Sequence, residues 1–289
     1  MLNAEKVKSQ APTSVNVVMA CYNRGPITKR FFDSLNKARH NGFEFAFVVT
    51  NDGSTDETHL VLESQPYPMT THYGSGDLYW AKSMAMAESL IEQVPDGILW
   101  VNDDLVVYPD AFEKLLNSIL AYPNAILVGQ VEDLDSGRCI YGGYRRTGKH
   151  PLVLELLHAE NSHQEADTFN GNFVYIPIEI RLAVGAIDSH FEHAYADCDY
   201  GYRARKLGYA IQIIPGFIGG TDQNLPKWPD GRIRKIKQLI GKKYNPLSSQ
   251  IRFFFLHRTR FGIFKIPIYL LRPFIRILIS NSGESRKTS

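Results

Sequence analysis

Three short polar clusters, each directly after an apolar run, hold side chains able to bind a charged ligand: Tyr22-Asn23-Arg24, Asn51-Asp52 and Asn102-Asp103-Asp104. Adjacent aspartates at the end of an apolar strand repel one another and are costly to desolvate unless a cation compensates. Mg2+ and Mn2+ suit that role, since they take one or two protein carboxylates and complete their shell with substrate phosphates and water. The chemistry expected is the handling of a phosphate-bearing ligand through a divalent cation. Glycine-rich loops are present, but none matches the dinucleotide pattern G-x-G-x-x-G or the P-loop G-x-x-x-x-G-K-[ST], so a dehydrogenase or an ATPase has little support. The nine histidines form no H-x-x-x-H pair.

The elements that must position these clusters follow from hydrophobic pattern. Residues 15–20 (VNVVMA), 43–50 (FEFAFVVT) and 97–101 (GILWV) read as buried strands. Helical patterns are expected over 28–39, 81–93 and 111–121, the last opened by Pro109-Asp110. Strands of four to eight residues alternating with longer helices indicate βαβ units and a single, mainly parallel Rossmann-like sheet flanked by helices. In open α/β sheets ligands bind outside the carboxyl ends of the strands, so one rim collects all three polar clusters.

The composition, 44% apolar and 21% charged over 289 residues, excludes disordered, collagenous and multi-span membrane classes. The net charge of +2 conceals an asymmetry: residues 1–225 hold 17 Lys/Arg against 28 Asp/Glu, and residues 226–289 hold 15 against 2. The expected organisation is a polar lead (1–14), a catalytic domain (15–225) and a basic, amphipathic C-terminal extension (226–289). Cys21, Cys139 and Cys198 are widely spaced and fit free thiols in a reducing compartment. No apolar signal segment opens the sequence, so a cytoplasmic location is expected.

The strand-and-loop VVMACYNR, the segment VVTNDGSTDET and the segment LWVNDDLVVYPDAFEKL resemble, in order, motifs of the family 2 glycosyltransferases, inverting enzymes of GT-A fold, including rhamnosyltransferase-like polysaccharide enzymes. A fourth segment, HAYADCDYGYRARKLGY (193–209), resembles the family's acidic motif bearing the catalytic base. The resemblance runs over about residues 15–215. It implies that Asp52, with Asn51 beside it, holds the donor base or ribose, that Asp103 orients the donor sugar or ribose, and that Asp104 binds Mn2+ or Mg2+ bridging the diphosphate. The rim residues Tyr22, Asn23, Arg24 and Asn102 would complete the donor site. Asp197 would be the base, with Asp199 its rival two residues on. The loop 74–83 would approach the nucleotide through Asp77, Trp80 and Lys82, and Asn172, in a turn with Asn170 and Gly171, would touch the donor sugar.

Two departures stand out. Ala196 occupies the place of a usual glutamate, and the stretch FIGGTD (217–222) lacks a histidine often present there, leaving Asp222 or water to complete the metal shell. Structural readings compete at each position. Residues 51–54 suit a turn and helix cap, Trp80 a core residue, Lys82 a surface charge, and Asp197 and Asp199 a solvated helix face paired with Arg203.

Residues 251–257 (IRFFFLH) and 261–279 place cations along an apolar surface broken by Pro267 and Pro273. The pattern suits a helix lying in an anionic membrane surface, through residues 251–280, rather than a span. Its alternative is a helix packed on the catalytic domain or in a homodimer. Nucleic acid is not an expected partner. The function implied is transfer of a sugar from a nucleotide diphosphate donor to a saccharide or polyprenyl-linked acceptor in cell-surface polysaccharide biosynthesis, at the inner face of the cytoplasmic membrane. The rivals are a sugar-nucleotide nucleotidyltransferase and a non-catalytic membrane scaffold of the same fold.

Overall fold

The apolar runs form the strands of a ten-stranded sheet in a computed structural model that describes residues 13–148, 151–191, 194–222, 247–257 and 271. Its first half is the parallel array the sequence implies. Strands β1 (Thr13–Cys21), β2 (Phe43–Asn51), β3 (Met69–Tyr73) and β4 (Gly97–Asn102) alternate with helices α1 (Gly25–Leu35), α2 (Thr58–Glu63) and α3 (Tyr79–Ser89). They lie in the order β3-β2-β1-β4, every pair parallel.

The second half is mixed, which the helix–strand alternation of the first half did not announce. It comprises β5 (Val106–Val107), α4 (Ala111–Ala121), β6 (Ala125–Asp133), β7 (Cys139–Tyr141), β8 (Gly143–Arg146), β9 (Leu154–Leu156), β10 (Gln164–Glu165), β11 (Thr168–Phe169), β12 (Phe173–Pro177), α5 (Ile178–Val184), α6 (Ala196–Lys206), β13 (Ala210–Thr221) and α7 (Leu247–His257). Strand β12 inserts antiparallel between β4 and β6, whereas β13 runs parallel to β6. Strands β11, β8 and β9 form a separate small antiparallel sheet.

Alternation along each strand sorts the core into two layers. Val15, Val17, Met19, Leu99 and Val101 face one side with Phe31, Phe32, Phe47 and Phe112, from α1, β2 and α4. Val18, Ile98, Trp100 and Val174 face the other, against residues of α3, α5 and α6. Pro26 in the first turn of α1 presets its backbone dihedral where no intrahelical N–H is needed, and Phe31, Phe32 and Leu35 turn one stripe onto the sheet.

The C-terminal extension departs from expectation at its one described helix. Helix α7 does not stand apart from the body at residue 226: Phe253 is 0% exposed and belongs to the same core layer as Trp100 and Tyr200. Arg252 donates to Asp188 Oδ2 at 2.8 and 2.6 Å, and His257 Nε2 lies 2.7 Å from Asp199 Oδ1. Residues 251–257 thus pack on the catalytic body, the alternative to the membrane reading, because an apolar stripe satisfies either environment; Phe255 and Leu256 remain exposed. The rest of the segment up to residue 280, Leu271 excepted, and the basic stretch 227–243 lie outside the described residues. No helix among the described residues is long and apolar enough to cross a membrane. Phe253→Ala should therefore cost about 3–5 kcal/mol of stability. Urea unfolding checks this, and an unchanged midpoint would return α7 to the surface.

Candidate active site

The carboxyl ends of β1, β2 and β4 bring the three polar clusters to one rim, where backbone strain is also concentrated. Among the described residues, three that are not glycine have positive φ: Asn23 (49°), Tyr79 (58°) and Tyr195 (76°). Each lies at or just before the start of a helix, α1, α3 and α6 respectively. Such conformations cost about 1–3 kcal/mol each and persist where the surroundings over-determine them.

Arg24 and the paired aspartates form the electrostatic centre. Its guanidinium Nη1 donates to Asp103 Oδ1 at 2.8 Å and to Asp104 Oδ2 at 3.3 Å, and the Thr28 hydroxyl donates to Asp103 Oδ2 at 3.3 Å. Asp103 is 3% exposed; burial pushes its carboxyl up to about 6, with Arg24 opposing and Asp104 adding to the rise. Burial also raises Asp104, against the pull of Arg24. Asp104 Oδ1 is buried with no hydrogen-bond partner among the described residues, and so are both polar atoms of the Asn172 side chain.

A carboxyl whose pKa rises on folding costs stability as pH climbs from its unfolded value to its folded one, and the cost persists above that. The metal-free Asp103→Asn variant should accordingly melt above the wild type at pH 7.5, the gain vanishing towards pH 4. Thermal unfolding at both pH values checks this; a lower melting temperature at pH 7.5 would show that Arg24 fully compensates the charge.

The glycine loop is organised by Asp52. Its carboxylate accepts the backbone N–H groups of Gly76 (2.8 Å, Oδ1), Leu78 (2.9 Å, Oδ2) and Tyr79 (3.2 Å, Oδ2). A Cβ on Gly74 would lie 2.4 Å from Asp52 Oδ1, so only glycine lets the loop close on the carboxylate. Asn51 is likewise internal, its Oδ1 accepting Ser54 N–H at 3.1 Å. Asn23 ties the first two loops together: its N–H donates to the Ser54 hydroxyl at 2.9 Å and its Oδ1 accepts Thr55 N–H at 2.8 Å. These three residues build the rim. Tyr22 stands half-exposed at the mouth, its ring 3.7 Å from where a Cβ on Gly76 would be.

Trp80 is a wall: its Nε1 donates to Asn102 Oδ1 at 3.0 Å, its ring meets Trp100 edge-on, and a Cβ on Gly171 would be 2.6 Å from its six-membered ring. Asp77 is exposed and accepts a short hydrogen bond from the Ser75 hydroxyl. Lys82 is half-buried on α3 and makes no ion pair among the described residues. Asp222 is ion-paired with Arg30 at 2.6 Å rather than turned on the aspartate pair, though its charge still acts on Asp104.

Asp197 and Asp199 separate cleanly. Asp199, 1% exposed, is held by Arg203 Nε at 2.7 Å and by His257, which removes it as a free base. Asp197, in the first turn of α6, accepts Gly171 N–H at 3.0 Å and Cys198 N–H at 2.8 Å. Burial raises its carboxyl pKa, and the Gly171 N–H is the largest opposing influence. His193, at the head of the expected motif, lies outside the described residues. Sequence reasoning missed Tyr141 on β7: burial raises the pKa of its hydroxyl, and Asp104, Arg24 and Asp197 all act on it electrostatically. No motif covers that strand.

Among the described residues no three or more His, Cys, Asp or Glu side chains are grouped to hold a metal ion by themselves. The unpartnered Asp104 oxygen nevertheless fits a cation whose remaining ligands are phosphate and water.

An α/β sheet with its acidic rim at the strand ends is the architecture of the GT-A glycosyltransferases. The structure of Staphylococcus aureus TarS 1-349 in complex with UDP-GlcNAc matches with a TM-score of 0.58 at 14% identity, covering 92% of this chain and 79% of that one. The mannosyltransferase PcManGT from Pyrobaculum calidifontis, in complex with GDP-Man and Mn2+, matches at 0.51 and 16% identity over 94% and 71%. GalNAc-T7 with UDP, GalNAc and Mn2+ matches at 0.58 and 12% identity over 79% and 48%. The family model "Glycosyl transferase family 2" matches residues 16–175, more than half of the sequence, and the chain belongs to that family. No curated protein matches it in sequence.

Proposed function

We propose that this family 2 glycosyltransferase is an inverting enzyme that transfers a sugar from a nucleoside diphosphate donor to a hydroxyl of a saccharide or polyprenyl-linked acceptor, in cell-surface polysaccharide assembly on the cytoplasmic membrane. The observation that carries the reading is the buried Asp197 carboxylate, held by two backbone N–H groups and by no cation among the described residues, whereas Asp103 and Asp104 share Arg24. The UDP-, UDP-GlcNAc- and GDP-Man-bound neighbours support a nucleotide-linked donor.

Asp104, through its unpaired Oδ1, would hold a Mn2+ or Mg2+ ion that neutralises charge on the departing diphosphate. Arg24 neutralises the two aspartates until the donor arrives. The loop pinned by Asp52, with Asp77 and Lys82 on it or just beyond, would cover the nucleotide, while Trp80, Asn102 and Asn172 line the sugar side. Asp197 takes the acceptor proton as that oxygen bonds to the anomeric carbon; the carbon–oxygen bond to the diphosphate breaks, its electron pair leaving with the nucleotide. One base facing the leaving group across the carbon makes this a single displacement with inversion.

The residues from 258 onward would bring cationic and apolar side chains to anionic lipid, α7 tying them to the body. Incubation with UDP-, GDP-, dTDP- and CDP-sugars plus Mn2+ tests the reading through slow nucleoside diphosphate release. Release from at least one donor is expected; none from any donor, with no metal-dependent thermal shift, would overturn it.

A further inference from the structure

The small antiparallel sheet contributes a hydrogen-bond chain that ends on the proposed base. Tyr144 lies on β8 opposite Thr168 of β11. Its hydroxyl donates to Asn170 Oδ1 at 2.5 Å. Asn170 is anchored by its own N–H, which donates to Gly142 O at 3.0 Å, and Asp167 N–H donates to Tyr144 O at 2.8 Å. The loop between β11 and β12 is thereby tied to β8 through the Asn170 side chain and to Gly142, just before β8, through the Asn170 backbone.

The residue after Asn170, Gly171, donates its N–H to Asp197 Oδ2 at 3.0 Å, so the anchored loop delivers a backbone donor to the carboxylate. Gly171 fits between Trp80 and Asp197 because it has no side chain; a Cβ there would sit 3.4 Å from the Asp197 Cβ as well as against the Trp80 ring. On the far side, the Thr168 hydroxyl donates to Cys198 O at 2.8 Å, locking β11 to the helix that carries Asp197. The titratable groups facing Asp197 are Tyr141 on β7, Tyr144 on β8 and Cys198 on its own helix, all pushed up mainly by burial and all neutral near pH 7. Tyr144 therefore remains a donor across the working range.

We propose that Tyr144 and Asn170 are positioning residues that orient the Asp197 carboxylate for proton removal from the acceptor. The inference rests on the reading of Asp197 as the base. With the loop anchored, the Gly171 and Cys198 N–H groups both meet the carboxylate and its ionised form survives desolvation. Without the Tyr144–Asn170 bond, the loop is free to shift and the carboxylate loses the Gly171 donor.

The test is the pH dependence of kcat/KM for wild type, Tyr144→Phe, Asn170→Ala and Asp197→Asn, with folding confirmed by thermal unfolding. The acid limb should move up by about one pH unit in Asn170→Ala and by less in Tyr144→Phe. Donor KM should stay within about twofold and kcat should fall about tenfold, as for a misaligned base. A purely structural role would lower rates without moving the limb. If Tyr144→Phe, the milder change, leaves the limb at its wild-type position while Asp197→Asn is inactive, the relay is refuted and the base stands. If Asp197→Asn keeps wild-type activity, the base reading fails and the inference with it.

Discussion

Asp197→Asn should lower kcat by about 10^3, within the 10^2–10^4 range of general-base contributions, while leaving donor binding and the melting temperature near wild type. The asparagine preserves the shape and its one oxygen keeps the bond from either Gly171 or Cys198, at the expense of the other, so a loss far beyond that of one hydrogen bond reports on proton removal. Asp199→Asn is the matched control. Its carboxylate is buried between Arg203 and His257, and removing the charge leaves Arg203 uncompensated, so that variant should lose stability instead, by about 3–5 kcal/mol for a broken buried pair. Steady-state kinetics beside urea unfolding separates the two. An active Asp197→Asn with an inactive but fully stable Asp199→Asn would exchange their roles.

Asp104→Asn should reduce kcat/KM by about 10^2–10^3, the scale of removing one charge-stabilising group, and should abolish the Mn2+-dependent thermal shift with nucleotide. The carboxylate has one oxygen on Arg24 and one buried and unpaired, and only the second is available to a cation. Arg24 keeps its shorter bond to Asp103, so the fold should survive. A variant that still responds to Mn2+ as wild type does would place the ion elsewhere, with Asp222 the nearest alternative once released from Arg30.

Much of this was legible because period and position coincide. The apolar runs before residues 21, 51 and 102 could only be buried strands, and parallel strands must deliver their following loops to one rim. Asp103 and Asp104 stood out because adjacent acids after such a run need a partner. Other features left no local trace. Asp52 bonds backbone N–H groups 24 to 27 residues away, and a backbone donor has no side-chain signature. Tyr141 and Tyr144 sit on short strands without a recognisable pattern, so the influence of Asp197 on both appears only in three dimensions. The segment 251–257 carried a clear apolar stripe, but such a stripe does not distinguish a lipid surface from a protein core. Phe253 inside the core and His257 against Asp199 decide for the protein.

The most direct measurement is a structure with a nucleoside diphosphate and Mn2+ bound. The diphosphate is expected at the end of β4, with Mn2+ on Asp104 Oδ1, Arg24 displaced from at least one aspartate, and the Asp197 carboxylate facing the position of the anomeric carbon from the side away from the phosphates. A nucleotide bound away from the rim, or a diphosphate lying against Asp197 itself, would contradict the assignment of donor site and base together.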